Sequence, residues 1–313
     1  MLLSRASSRI GFEVEREDVM ELQTTNRKLP IGFRIGVVAL VGLLAGALPR
    51  GQTNDAPDGR DNRDVRYRSY DELLDLNVRD GLVYYRALKA QRGRLDAYVS
   101  GLAPASIGSE RPEAQIAFWL NAYNAIVLQT VIDHYPIAQQ TRAYPARSIR
   151  QVPGAFERTP HRVAGRTLTL DQIEQTILPA FQDPRVYLAL GRGAVGSGRL
   201  RSEAYTPANL ERQLTEVANE CVARAQCADV DPEANLLRIT AVFSWREKEF
   251  AAAYARNAAP LFSSRSPIER AALAFLDPRF LTPERQFLAK NAFKMEFIPF
   301  DWTLNDLTGR RGR

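Results

Sequence analysis

The sequence predicts an α+β fold, with a single mixed helix and strand domain over residues 66–307. Apolar residues recur at helical spacing in some segments and alternate at strand spacing in others, without the regular strand–helix–strand order of a doubly wound sheet. No internal repeat is visible. Of the 313 residues, 45% are hydrophobic and 25% are charged, which is typical of a folded chain with a substantial core.

The first part of the domain is predicted to be mainly helical. A short helix begins at Tyr70, a strand covers residues 82–85, and a second helix ends near Gly101. The clearest helix covers residues 112–135, because its apolar side chains repeat at helical spacing. Its first residue is a proline, which suits a first turn, and Pro136 ends it.

Short strands and helices are expected to follow. Residues 162–168 are typical of a hairpin with Gly165 in its turn, and Thr169 is suited to cap the next helix. The apolar run 186–190 predicts a short buried strand. The amphipathic segment 206–223 begins with Thr-Pro and predicts another helix.

The last third of the domain is expected to add two strands and two helices. Residues 236–242 predict a strand, and Ser244 is suited to cap the helix after it. Thr282 and Pro283 begin a further helix, and residues 293–297 alternate at strand period.

Cys221 and Cys227 are the only cysteines in the chain. They lie at the end of the predicted helix and in the polar loop after it, so a disulfide between them is geometrically possible. Two inert thiols are the alternative. Two cysteines without nearby histidines do not make a zinc site, and no metal site is expected.

Residues 1–47 are predicted to be an N-terminal extension and signal peptide, and residues 48–65 a linker. The apolar run 35–48 follows basic residues and is shorter than the ~20 residues that span a bilayer. Its small residues around Ala47 are typical of a cleavage site. We therefore expect an exported protein, periplasmic or secreted. The alternative is a membrane anchor formed by residues 35–48, and Met20 is an alternative start.

The net charge of +6 reflects arginines concentrated in residues 142–166 and 185–201. Such a surface suits an acidic partner, although a solvated arginine-rich surface has the same composition. No nucleic-acid-binding motif accompanies the charge, so no nucleic-acid partner is expected.

Several motifs occur in the order of one known family. Residues 116–125 read Ile-Ala-Phe-Trp-Leu-Asn-Ala-Tyr-Asn-Ala, and residues 163–174 end in Leu-Thr-Leu-Asp-Gln-Ile-Glu. Residues 200–205, 243–250 and 300–305 complete the series. The set resembles the domain of unknown function 547 family over residues 66–306.

The resemblance implies a divergent member. That family has a histidine on a strand before a loop with two cysteines, and a Glu-His pair earlier in the chain, which are candidates for a thiol nucleophile and its base. In this sequence the histidine positions hold Tyr187 and Gln175, and the cysteine positions hold Arg192 and Ser197. The resemblance therefore implies that thiol chemistry has been lost.

The same loop contains Gly191-x-Gly193-x-x-Gly196, the pattern of a dinucleotide-binding turn. Such a turn should open directly into a helix and be followed about 20 residues later by an acidic residue at the end of a strand. Here the acidic residue at that distance, Glu216, falls inside a predicted helix. A flexible glycine loop is the better interpretation, and no cofactor is expected.

Several polar residues of the family motifs are retained in this sequence. Two asparagines on one turn of an apolar helix need hydrogen-bond partners, and the Asp-Trp-Thr-Leu-Asn segment 301–305 can supply them. The retained residues are Asn121, Asn124, Glu174, Asp301, Trp302 and Asn305. The residues expected to form a binding site are Asn121, Asn124, Glu174, Tyr187 and Arg192.

We therefore expect a non-catalytic binding protein for an unknown small molecule, an envelope component or another protein. Contact with a membrane is expected only through the N-terminal segment, if that segment is not cleaved. The alternative is a hydrolase or transferase that uses Ser197, or Glu174 and Asp301 as acid and base. His134 and His161 are the only histidines, and either could pair with Ser197 in such an enzyme.

Overall fold

The computed structural model describes residues 60–309, with side chains from Tyr67 onward. The described residues lie in one compact unit. The predicted signal peptide, the possible anchor 35–48 and most of the predicted linker lie outside the described residues. Within residues 60–309, no helix is both long and apolar enough to cross a bilayer.

Helices outnumber strands in the described part of the chain, and the strands form small sheets, which confirms the predicted α+β class. Short 3-10 turns connect several of the helices. The helices are α1 (Arg60–Asn77), α2 (Tyr85–Ala90), α3 (Gly93–Leu102), α4 (Pro112–His134), α5 (Leu170–Gln172), α6 (Arg185–Leu188), α7 (Leu210–Val222), α8 (Val242–Trp245), α9 (Glu247–Tyr254), α10 (Pro267–Leu276) and α11 (Thr282–Lys290).

The strands form two hairpins and one three-stranded sheet. In the sheet the order is β5–β6–β7, with an antiparallel pair first and a parallel pair second. The strands are β1 (Val78–Arg79), β2 (Leu82–Val83), β3 (His161–Val163), β4 (Arg166–Leu168), β5 (Ala228–Asp231), β6 (Leu236–Thr240) and β7 (Lys294–Ile298).

Helix α4 forms the centre of the core, as its periodic sequence predicts. Every side chain from Ile116 to Ile132 is buried except that of Gln129. A helix that is buried on all its faces must be covered by other elements, and α2 and α3 pack against α4. Its two asparagines, Asn121 and Asn124, are therefore enclosed in the core.

Several local predictions are confirmed. The hairpin β3–β4 turns at Ala164 and Gly165, both with positive φ angles of 50° and 71°, as a two-residue hairpin turn requires. Thr169 caps α5 in a capping box with Gln172. Helix α11 begins at Thr282, and β7 covers most of the predicted strand 293–297.

The strand predicted at residues 186–190 is wrong, because these residues begin in the helical turn α6. The carboxylate of Asp183 accepts a hydrogen bond from the backbone N–H of Arg185 at 3.0 Å, and Pro184 precedes the turn. Both features begin a helix. A short apolar run does not distinguish a buried strand from a buried helical turn.

Other details also differ from the predictions: the first helix, predicted to begin at Tyr70, already begins at Arg60. The helix expected from Thr206 begins at Leu210, after a turn. The strand expected at residues 82–85 ends at Val83, because Tyr85 already belongs to α2. Ser244 does not cap a helix: it lies inside α8, and its hydroxyl donates to the backbone carbonyl of Ala241 at 2.9 Å.

Cys221 and Cys227 form a disulfide, with their Cα atoms 5.3 Å apart. The first cysteine lies in the last turn of α7 and the second immediately before β5. Of the two alternatives that the sequence leaves open, the structure therefore shows the bridge. Disulfides persist in oxidising compartments.

Candidate functional site

The two asparagines of α4 hold the backbone of the loop that carries the altered family positions. The amide of Asn124 donates to the carbonyl of Ala189 at 3.2 Å, and its oxygen accepts from the N–H of Gly191 at 2.8 Å. Asn121 makes the same pair of bonds with the backbone of Tyr205, at 2.8 and 2.9 Å. The predicted partners in segment 301–305 are wrong, because both amides are satisfied by backbone groups on the other side.

Segment 301–305 instead forms backbone hydrogen bonds with the glycine loop. The N–H of Val195 donates to the carbonyl of Thr303 and the N–H of Gly196 to that of Asp301, both at 2.8 Å. Asn305 is buried and accepts from the hydroxyl of Tyr85 at 2.7 Å. The loop is thus held by α4 on one side and by the C-terminal segment on the other.

At the centre of this region lies a buried ionic cluster of Glu174, Arg192 and Arg246. The guanidinium of Arg192 donates to both carboxylate oxygens of Glu174, at 2.7 and 3.2 Å. Arg246 donates to the same carboxylate at 2.8 Å. The three side chains are only 9%, 3% and 4% exposed. We call this group the Glu174 cluster.

The other altered family positions surround the same cluster. The guanidinium carbon of Arg246 lies 4.5 Å from the centre of the Tyr187 ring, and another nitrogen of Arg246 donates to the Gln175 side chain at 2.8 Å. The hydroxyl of Tyr187 donates to Glu249 at 3.4 Å. Three of the predicted site residues, Glu174, Tyr187 and Arg192, are therefore brought together, and Gln175 lies beside them.

The carboxylate of Glu174 is strongly held in its charged form. Burial by itself would raise its pKa, but the charges and hydrogen bonds of Arg192 and Arg246 outweigh burial and lower the pKa from 4.5 to about 2. The hydroxyl of Tyr123 adds a hydrogen bond at 3.1 Å. At neutral pH this group has no proton to give, and it is a poor proton acceptor.

Ser197 is buried, and its hydroxyl oxygen accepts from the backbone N–H of Arg192 at 3.0 Å. It also lines a polar pocket of about 240 Å³ with Arg199 and Asn305. Among residues 67–309, neither histidine forms a hydrogen bond with it. His134 contacts the carbonyl of Thr130 in its own helix, at 2.9 Å. A serine without a base in reach is not activated.

Asp301 lies apart from Glu174. Its side chain is exposed, and its carboxylate accepts from the backbone N–H of Thr303 at 2.9 Å. Acid–base catalysis by two carboxyl groups requires both groups to face one reacting bond. Glu174 is enclosed by arginines and Asp301 caps a turn at the surface, so the two do not form such a pair.

Next to the cluster lies a surface of four partly exposed aromatic rings: Tyr144, Trp245, Phe300 and Trp302, which we call the aromatic surface. The ring centre of Phe300 lies 4.9 Å from that of Trp245 and 4.5 Å from that of Trp302. Trp245 is 43% exposed. The guanidinium carbon of Arg192 lies 5.8 Å from the Trp245 ring, so the cluster supports the aromatic surface from beneath.

Charged groups border the aromatic surface. The guanidinium carbon of Arg150 lies 4.5 Å from the centre of the Trp302 ring and 4.7 Å from that of Phe156, and the same group pairs with Glu157. Asp171 is half-buried, and its backbone N–H donates to the carbonyl of Phe156 at 3.0 Å. Burial, then the charges of Glu157 and Glu174, raise the pKa of Asp171.

Sequence reasoning missed Arg150, Asp171, Trp245 and Arg246 as members of the region. Trp245 and Arg246 lie inside the motif 243–250, but nothing in its spacing shows that one side chain is exposed while the next is buried against Glu174. The glycine pattern 191–196 does not open directly into a helix, because bends and turns follow it and α7 begins only at Leu210. Among the described residues, no group of three metal-ligating side chains is present.

Comparison with known proteins gives one match. No curated protein and no solved structure matches the chain. Residues 108–222 match the family model described as "Protein of unknown function, DUF547". The matched segment contains Asn121, Asn124, Glu174, Tyr187, Arg192 and Ser197, and the predicted domain extends beyond it on both sides. The family that the motifs predict is confirmed over residues 108–222, where this chain matches the DUF547 family model.

Proposed function

We propose that this chain is an exported, non-catalytic binding protein. The observation that carries the proposal is the closed Glu174 cluster. A charged arginine stands at a position where the resemblance implies a cysteine, and the neighbouring glutamate accepts hydrogen bonds from it through both oxygens. A guanidinium is not a nucleophile, and a carboxylate held at a pKa of about 2 is not a general acid at neutral pH.

The aromatic surface is the best-supported place for a ligand. Exposed apolar patches with a polar border mark binding sites on soluble proteins. By contrast, Asn121 and Asn124 are almost fully enclosed and bonded to backbone, so they shape the region without reaching a ligand. Glu174, Tyr187 and Arg192 support the surface in the same indirect way.

Ser197→Ala is the variant that separates binding from catalysis. Because the serine hydroxyl has no base in reach, we expect the variant to keep the ligand affinity of the wild type and any background turnover. Trp245→Ala should lose binding, since it removes the most exposed ring of the aromatic surface. A thermal-shift screen of metabolites and envelope polymers finds the ligand, and a panel of ester, amide and glycoside substrates measures turnover. Turnover that disappears in Ser197→Ala would establish a serine hydrolase instead.

Export is supported by the segment 35–48 and by the disulfide between Cys221 and Cys227, which persists in an oxidising compartment. We expect the mature protein to begin near Leu48. N-terminal sequencing of the protein from periplasm and culture medium is the measurement. Recovery of residues 20–47 in a membrane fraction would instead identify an anchored protein.

A further inference from the structure

The aromatic surface presents rings that a ligand can cover. Trp245 is 43% exposed, and its ring lies 6.2 Å from that of Trp302 at an angle of only 20°, so the two ring planes are nearly parallel. Phe300 contacts both of them. A ligand for this surface therefore needs an apolar face of ring size.

The polar groups at the border of the aromatic surface indicate a second property of the ligand, which is its hydrogen-bonding capacity. Within residues 67–309, no hydrogen bond or ion pair engages the side-chain carboxyl of Asp171. The guanidinium of Arg150 is partly exposed, and its buried Nε atom has no hydrogen-bond partner among the described residues. One group accepts hydrogen bonds and the other donates them, so a ligand with groups that do both, such as hydroxyls, satisfies the two together.

Charge restricts the ligand further. Arg150 pairs with Glu157, and Arg192 and Arg246 pair with Glu174, while Asp171 adds a third carboxyl group nearby. The nearest cations are thus already paired, which disfavours an anionic ligand. A quaternary ammonium would need the faces of Trp302 and Phe156, and the guanidinium of Arg150 already lies over both.

We infer that the aromatic surface binds a neutral carbohydrate, with a sugar ring stacked on the exposed ring of Trp245 and hydroxyls hydrogen-bonded to Asp171 and the guanidinium of Arg150. A pyranose combines an apolar C–H face with hydroxyls at its edge, and it carries no charge. It therefore meets all three requirements of the surface. The inference rests on the proposed function and names the class of its ligand.

The test is calorimetric titration of the mature protein with cellohexaose, chitohexaose and maltohexaose. We expect at least one to bind, and Trp245→Ala to weaken it by about tenfold or more, the equivalent of ~1.4 kcal/mol. Asp171→Asn should weaken it as well, because it turns an acceptor oxygen into a donor. Two matched controls, Tyr84→Ala and Asp75→Asn, change exposed residues outside the surface and should bind as the wild type does.

The outcomes separate the inference from the function on which it rests. No binding of any neutral hexasaccharide, or equal binding to Trp245→Ala, overturns the inference. Tighter binding of an oligogalacturonate hexamer than of the neutral sugars overturns it too. If a different ligand binds and its binding requires Trp245, the proposed binding function stands. Only the assignment of a carbohydrate as the ligand is then overturned. Release of shorter sugars during titration refutes the non-catalytic function while the carbohydrate site stands.

Discussion

Glu174→Ala is expected to lower the free energy of unfolding by about 3 to 5 kcal/mol, the range measured when one partner is removed from a buried ion pair. The change leaves the guanidinium groups of Arg192 and Arg246 in the interior, where both side chains are less than 5% exposed, without their shared carboxylate. A buried charge without a partner is far more costly than the pair was favourable. Urea denaturation at pH 7 measures the loss.

The matched control is Glu296→Ala. Glu296 pairs with Lys294 at 2.8 Å on the exposed strand β7, where an ion pair contributes about 1 kcal/mol or less. A loss at Glu174 no larger than the loss at Glu296 would contradict a cluster that stabilises the fold.

The same cluster sets a pH dependence that Glu174→Gln isolates. Because the folded-state pKa of about 2 lies below the ordinary 4.5, the charged carboxylate stabilises the folded state fully above pH 4.5. This contribution is lost as the pH falls from 4.5 towards 2. The stability difference between wild type and Glu174→Gln should therefore narrow across that window, and a difference that stays constant would show that the charge is not responsible.

Gly198→Ala is expected to cost about 3 kcal/mol or more, beyond the usual range for an added methyl group in a packed interior. A Cβ atom at this position would lie 1.6 Å from the carbonyl oxygen of Leu188 and 2.7 Å from its carbonyl carbon. Both are backbone atoms, so no rotation of a side chain relieves the clash. The loop after Gly191 would have to move away from α6. Thermal unfolding and limited proteolysis measure the effect.

Gly101→Ala provides the comparison for the same chemical change. No atom lies within 4 Å of a Cβ built there, and the residue lies in α3. Replacing a helical glycine with alanine stabilises by roughly 0.5 to 1 kcal/mol. A melting temperature of Gly198→Ala equal to that of the wild type would show that the loop is loosely held.

The sequence was sufficient for elements whose signals are local. Helix α4 follows from its apolar period and its terminal prolines, the hairpin β3–β4 from Gly165, and the start of α5 from Thr169. The short apolar run at residues 186–190 was ambiguous, because length and burial are the same for a helical turn and a strand. The order of the three-stranded sheet depends on contacts between distant segments, which periodicity does not report.

Only part of the candidate site was predictable from the sequence, and the roles of its residues were not. Glu174, Tyr187 and Arg192 come together as expected, but Arg246 is 72 residues from Glu174, and no spacing rule links them. The exposure of Trp245 depends on the neighbouring ring of Phe300 and on the ion cluster beneath it. Asn121 and Asn124 were expected to contact segment 301–305, and only the folded chain shows that backbone groups at residues 189–191 and 205 satisfy them first.

The hydrogen bonds between residues 301–305 and the glycine loop determine how late in synthesis this region can fold. The backbone N–H groups of Val195 and Gly196 bond to carbonyls of Thr303 and Asp301, and that of Val83 bonds to Asn305. Because the chain emerges N-terminus first, residues 83 and 195 emerge well before their partners. More than one hundred residues after residue 195 must follow before segment 301–305 is present. Phe300 and Trp302 arrive in that same final segment. The surface is therefore assembled in one late step, after nearly the entire domain has left the ribosome.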